Sequence, residues 1–209
     1  FEIETVSKGK KYIQQFEKNL TIINPPKIEK TKEKDYTKIT FIPDFKRFKV
    51  KDISKTTFQL LEKRTYDITA STSNKVSVYF NEKELIVKDF KNYTDLFITD
   101  ESILKEKITF ENERWKVAIC TSPYEEFTQV SFVNGVNTLN GGTHVNYILN
   151  PILKRLVDKL SKISKQVKFS YIRENVLIFV FALIENPVFK SQAKEELTTR
   201  STLFGSTCV

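Results

Sequence analysis

Gln192 and Lys194 stand two residues apart near the end of this 209-residue chain. An ammonium gives a movable point charge and a primary amide adds a directional donor, so the two can hold a phosphate. The same pair also fits an ordinary solvated helix start, since exposed lysines are common, and the spacing alone leaves both readings open. A second basic set, Arg155, Lys159, Lys162 and Lys165, recurs on one side of a helical pattern and suits contacts to phosphate backbones that read no sequence. No aromatic residues interleave with it, which argues against stacking of single-stranded bases. His144 is the only histidine, so no metal cluster or Ser-His pair can be built around it, and it reads as structural. Glu185 beside Asn186 reads as a strand-end hydrogen bonder. Cys120 and Cys208 are far apart with no Cys-x-x-Cys spacing, which indicates neither zinc nor a disulfide framework and fits a reducing compartment.

The elements that must position these residues follow from periodicity. Residues 176–184 are a continuous apolar run, Val-Leu-Ile-Phe-Val-Phe-Ala-Leu-Ile, expected to be a strand buried on both faces. Pro187 stops it, and Ser191 is expected to cap a short helix over 192–199, so that Lys194 leaves a rigid strand on a short tether. Upstream, Asn140-Gly141-Gly142 supplies freedom for a tight turn, and Thr143 is expected to cap a long helix to about Ile163, with Ile152, Leu156, Leu160 and Ile163 on its core side. Strands are expected over 107–111, 115–121, 129–136, 169–173 and 174–184.

The first half reads as a hairpin of 1–6 and 10–20, then a charged loop over 27–34 after Asn24-Pro25-Pro26, and a strand from Tyr36. A helix over 52–65 is expected to bury Ile53, Phe58, Leu60 and Leu61, with Asp52 as a cap. A hairpin turning at Asn81-Glu82 and a short helix from Phe90 follow. Residues 100–107 are charged and weakly patterned, so the domain boundary and a hinge are placed there. This predicts an α+β chain with domains 1–98 and 99–209.

An apolar share of 40%, including 17 Phe, is enough for a packed core. With 34 Lys and Arg against 26 Asp and Glu the formal charge is +8, which favours a polyanionic partner. The longest apolar run is far shorter than the roughly 20 residues that cross a bilayer, so no membrane association is expected. The chain contains no Met and opens inside a strand pattern, and it is expected to be a piece of a longer protein.

Gln192-Ala193-Lys194, with Leu183-Ile184-Glu185-Asn186-Pro187 before it and Phe204-Gly205-Ser206 after it, resembles the Gln-Thr-Lys loop of type IIA DNA topoisomerases in their eukaryotic form. The resemblance extends to Ser131-Phe132-Val133-Asn134-Gly135-Val136-Asn137-Thr138, Gly141-Gly142-Thr143-His144-Val145-Asn146-Tyr147 and Lys63-Arg64-Thr65-Tyr66-Asp67-Ile68, and it covers essentially the whole chain. It implies the C-terminal part of a GHKL ATP-binding domain followed by a transducer domain, in an ATP-dependent enzyme that passes one DNA duplex through another as a homodimer. It implies that Lys194 reaches the γ-phosphate of ATP, that Gln192 does the same, and that Lys159, Lys162 and Lys165 face transported double-stranded DNA. Thr37, in a segment similar to the family's Gly-Thr-x-x-x-Phe-x-Pro-Asp, inherits a place near the adenine pocket, although Tyr36 replaces the glycine. Ala193 replaces the family threonine, which touches only a hydroxyl contact or a stiffening role. The magnesium ligands, the general-base glutamate and the DNA-cleaving tyrosine of the family fall outside this chain segment. An intracellular location is implied, nuclear for a cellular source and host cytoplasm or nucleus for a large DNA virus. Another GHKL ATPase such as a mismatch-repair protein, or a non-enzymatic basic DNA-binding module, are the alternatives.

Overall fold

The computed structural model describes residues 1–164 and 167–208. It divides into two compact units, Phe1–Lys55 and Thr56–Val209.

The first unit is a five-stranded antiparallel sheet. Strands β1 (Glu2–Ser7) and β2 (Lys10–Glu17) form the expected hairpin, with Ser7 opposite Lys10. Its two turn residues, Lys8 and Gly9, have φ of 51° and 73°, the left-handed pair that matches the twist of the flanking strands. β3 (Ile22–Ile23) and β4 (Lys27–Lys30) both pair with β2, while β5 (Tyr36–Thr40) pairs with the other side of β1. The charged stretch expected to be a loop is therefore partly strand. All four residues of β4 are exposed at the sheet edge, where pairing needs no apolar alternation, so the strand leaves no period-2 signal.

The second unit is built on a mixed sheet in the order β11-β10-β12-β9-β8. Its strands are β8 (Ile108–Glu111), β9 (Trp115–Thr121), β10 (Thr128–Val133), β11 (Val136–Asn137) and β12 (Val176–Ala182), and only β10 with β12 is parallel. All seven residues of β12 are buried. Alternate side chains go to opposite faces: Val176, Ile178 and Val180 join one core with Trp115, Leu149 and Leu153, and Leu177, Phe179 and Phe181 join the other with Tyr93, Phe132 and Ala70. Each such residue contributes about 1.5 to 3 kcal/mol of burial, so the central strand is the most firmly held part of the unit.

Helices cover both faces. The first core is closed by α4 (Thr143–Leu160), with α5 (Phe169–Glu174) packed against that helix. The second is closed by α1 (Lys55–Ser71), α2 (Phe90–Asp95) and α3 (Glu101–Glu106). A small hairpin of β6 (Tyr79–Phe80) and β7 (Lys83–Glu84) lies between α1 and α2 in the chain, and it turns at Asn81 and Glu82 as expected, both at positive φ.

Four local expectations are corrected. Helix α1 starts later and ends later than 52–65, and Ile53, Phe58, Leu60 and Leu61 stay exposed while Asp67, Thr69 and Ala70 are buried. The apolar stripe lies in the N-terminal half, but the C-terminal half is the part that docks on the sheet. Residues 169–173 are helical, not a strand. In α4 the buried face is Val145, Ile148, Leu149 and Leu153, whereas Leu156 and Leu160 are exposed and Ile163 lies beyond the helix end at 85% exposure. Finally, 100–107 is not a bare linker. Asp100 caps α3 by accepting from the Ser102 backbone N–H at 2.8 Å, Ile103 and Leu104 pack on the second core, and Lys107 Nζ donates to Thr94 Oγ1 at 2.8 Å and to the Asp95 carboxylate.

Candidate functional site

After β12 the chain doubles back on itself as a hairpin-like loop. Phe189 and Leu197 form an antiparallel bridge, and the Lys190 backbone N–H donates to Glu196 O at 3.0 Å. The turn closes with the Lys194 N–H donating to Ser191 O at 3.0 Å, and Lys194 takes φ of 59°. Gln192, Ala193 and Lys194 are thus brought together at the exposed tip. No helix forms over 192–199, because the backbone groups that would bond within a helix are used by neighbouring segments instead.

Those neighbours are the glycines at the start of α4. The Leu197 N–H donates to Gly141 O at 3.0 Å and the Thr143 N–H donates to Leu197 O at 3.1 Å, so Leu197 is paired on both sides and is 1% exposed. A Cβ on Gly142 would lie 2.3 Å from Leu197 O, and Gly142 holds φ of 135°. Only glycine allows this approach. Gly142 is also the N-cap residue of α4. Thr143, expected to cap the helix, instead donates its hydroxyl to Thr199 O at 2.6 Å. Asn140 adds a further strap, its N–H donating to Glu195 O at 2.9 Å.

The lower stem is held from the sheet. Asn134 takes both backbone groups of Ile184, accepting from its N–H at 2.8 Å and donating to its carbonyl at 2.9 Å. Arg114 donates to Leu183 O, to Gly205 O and to Glu185 Oε1 at 2.8 to 3.1 Å, which makes Glu185 the strand-end partner that was expected. Trp115 Nε1 donates to Ser206 Oγ at 2.9 Å, and its ring packs with Tyr147 and the fully buried Phe204. These anchors were missed in the sequence, since Arg114 and Asn134 lie 71 and 50 residues from their partners. A signal was nevertheless present: Asn134-Gly135 marks a turn beside β12, and Phe204-Gly205-Ser206 is an apolar residue in a polar stretch.

His144 is fully buried beneath the loop, and burial pushes its imidazole down to about 3, so it is neutral at physiological pH. Its Nε2 lies 3.2 Å from Thr138 Oγ1, consistent with a structural residue.

Among the basic residues, Arg155 and Lys159 are exposed on α4 and Lys162 is exposed just past its end, whereas Lys165 lies outside the described residues. Thr37 belongs to the first unit. It sits exposed on β5 opposite Thr5, with the two hydroxyls 3.2 Å apart. Tyr36, at the position of the family glycine, donates to the Glu4 carboxylate and to Glu33 Oε2, the latter at 3.0 Å. Lys11 bridges the same two carboxylates at 3.2 Å each. The Tyr36 hydroxyl first and Lys11 second hold the Glu4 carboxyl below its usual range. Among the described residues no group of His, Cys, Asp and Glu is arranged to hold a metal ion, and no helix is long and apolar enough to cross a membrane.

Comparison with known proteins bears on the same segments. The family model described as DNA gyrase B matches residues 66–204. DNA topoisomerase 2 of Saccharomyces cerevisiae is 41% identical over 231 residues, covering 100% of this chain and 16% of the relative. DNA topoisomerase 2 of Acanthamoeba polyphaga mimivirus is 41% identical over 215 residues, covering 99% of this chain and 17% of the relative. The chain thus spans about a sixth of the length of these relatives. Among solved structures, the ATPase region of Saccharomyces cerevisiae topoisomerase II superposes with a TM-score of 0.90 at 42% identity over 100% of this chain and 55% of that one. The ATPase and transducer domains of topoisomerase II from Balamuthia mandrillaris superpose with a TM-score of 0.90 at 33% identity, over 100% of this chain and 54% of that one. The family match covers more than half of the chain and takes in both the glycine turn and the loop it straps down, and on that ground the chain belongs to the type IIA DNA topoisomerases.

Proposed function

We propose that this chain is the nucleotide-sensing and transducing part of an ATP-dependent type II DNA topoisomerase, which passes one duplex through a transient double-strand break in another. The carrying observation is the loop: an exposed Gln192–Lys194 tip on a stem strapped to a buried strand and to the start of α4. A long cation on a rigid base is suited to reach a γ-phosphate delivered by a separate domain. A charge pair at about 4 Å is worth roughly 4 kcal/mol at an effective dielectric near 20. Losing it on hydrolysis is enough to move an equilibrium between two domain arrangements that differ by a few kcal/mol.

On this reading Lys194 and Gln192 contact ATP, Ala193 contributes no side-chain donor, and Thr37 lines the adenine side. Magnesium would neutralise the phosphates, held by residues of the intact protein other than these. The exposed Arg155, Lys159 and Lys162, continued in sequence by Lys165, would meet the transported duplex, and the intact enzyme would close as a homodimer. The boundary between the ATP-binding and transducer parts is placed at 98/99 on this reading, with the ATP-binding part over 1–98 and the transducer over 99–209.

Lys194→Ala in the full-length protein tests the reading. Losing a transition-state contact costs about 2 to 4 kcal/mol, so ATP turnover is expected to fall roughly 30- to 1,000-fold and to uncouple from DNA relaxation. Gln192→Ala is expected to act in the same direction but less. Wild-type turnover and relaxation in Lys194→Ala would sink the proposal.

A further inference from the structure

A buried polar chain runs under the loop and is unused by the function above. Ser131 and Thr138 are 0% exposed, as is His144. Their hydroxyls are 2.5 Å apart, Thr138 Oγ1 is 3.2 Å from His144 Nε2, and Ser131 Oγ lies 3.1 Å from Thr138 O. One proton order satisfies every hydroxyl. His144 Nε2–H donates to Thr138, Thr138 donates to Ser131, and Ser131 donates to the Thr138 carbonyl. It leaves only a lone pair on His144 Nδ1 unpartnered, and a bare acceptor is cheaper to bury than a bare N–H. At the far end Asn137 Nδ2 donates to Ser131 O at 3.1 Å, and Arg64 on α1 donates to Asn137 Oδ1 at 3.1 Å.

Thr138 is where this chain meets the strap. Its carbonyl accepts the Gly141 N–H at 2.9 Å, and Gly141 O in turn accepts the N–H of Leu197, three residues after Lys194. Its hydroxyl holds His144, whose neighbour Thr143 binds Leu197 O. The turn that receives the loop is therefore held from beneath by the Thr138 hydroxyl, together with the Gln129 amide, which donates to Thr138 O at 3.3 Å and to Leu139 O at 2.8 Å.

We propose that Thr138 is a positioning residue for Lys194: its hydroxyl, between Ser131 and His144, fixes the Gly141–Thr143 turn on which the loop stem is registered. As far as Lys194 is concerned this rests on the function proposed above, but the positioning itself is a property of the fold. Val matches the shape of Thr without the hydroxyl, and Ser keeps the hydroxyl with one methyl fewer.

The test uses the full-length protein with Thr138→Val and Thr138→Ser, by hydrogen exchange on peptides spanning 138–146 and 190–200, with 176–182 as the internal control. Thr138→Val is expected to speed exchange in both loop peptides about tenfold while the control stays protected, and Thr138→Ser to remain near wild type, as expected for local rather than global opening. Equal behaviour of the two variants, or faster exchange in the control as well, would overturn the positioning role. ATP turnover supplies the second readout. Thr138→Val is expected to lower it about 3- to 10-fold alone and less than about twofold in a Lys194→Ala background, the non-additivity of residues acting through one contact. Multiplying effects would overturn the link to Lys194. If Lys194→Ala alone leaves turnover unchanged while Thr138→Val still loosens the loop, the nucleotide role fails and the positioning stands.

Discussion

The stem and the tip of the 183–206 loop differ in every physical respect. In the stem Ile184, Leu197, Thr199 and Phe204 are buried, and the backbone bonds go to Gly141, Thr143 and Asn134, all distant in sequence. At the tip Gln192, Ala193 and Lys194 are exposed, and the local closure is a single turn hydrogen bond from Lys194 to Ser191. The stem spends its side chains on the fold, which frees those of the tip for a ligand. A rigid base limits how far a long lysine wanders, and that is how a flexible side chain acquires a defined reach.

If this division is right, a change in the stem costs stability and a change at the tip costs activity. The largest stability loss is expected for Gly142→Ala, where the new methyl meets Leu197 O at 2.3 Å and the backbone is at φ of 135°. About 4 kcal/mol or more is expected from the clash and strain together, read by chemical denaturation, and a loss under about 1 kcal/mol would show that the stem can shift aside.

A smaller effect is set by pH. Burial depresses the folded His144 imidazole to about 3 from its ordinary 6.5, so the unfolded chain binds the extra proton and stability is complete above pH 6.5 and lost on acidification towards 3. By pH 5 the loss is about 2 kcal/mol, before most carboxylates titrate. Denaturation midpoints at pH 7 and 5 check it, and the difference should flatten in His144→Gln; an unchanged slope in that variant would assign the dependence elsewhere.

The smallest stability effect is expected at the tip. Truncating exposed Lys194 to Ala should change stability by no more than about 0.5 kcal/mol, although it is the variant with the large loss of turnover. A comparable loss of stability there would erase the contrast between stem and tip.

Much of this was legible in the sequence. The run from Val176 to Ala182 is apolar at every position and β-branched or aromatic at five of the seven, a pattern that fits a strand covered on both faces, and the mixed sheet has β12 at its centre. Asn81-Glu82 marked its turn, and Gly141-Gly142 marked a tight turn into a helix, though not the close approach of Leu197 to it. The exposed elements were less legible. β4 is a charged edge strand, α3 a charged helix docked through two side chains, and neither pattern distinguishes them from loops because their hydrogen bonds and contacts come from elsewhere.

The identity of the loop, its alternation with the buried strand and its cationic tip were determined by the sequence alone, because hydrophobic periodicity and side-chain chemistry are local properties. That 192–199 is a strapped hairpin and not a capped helix was decided by tertiary structure. Leu197 finds its partners in Gly141 and Thr143, more than fifty residues earlier, and those two bonds win over the local ones a helix would make because they come with the burial of Leu197 itself.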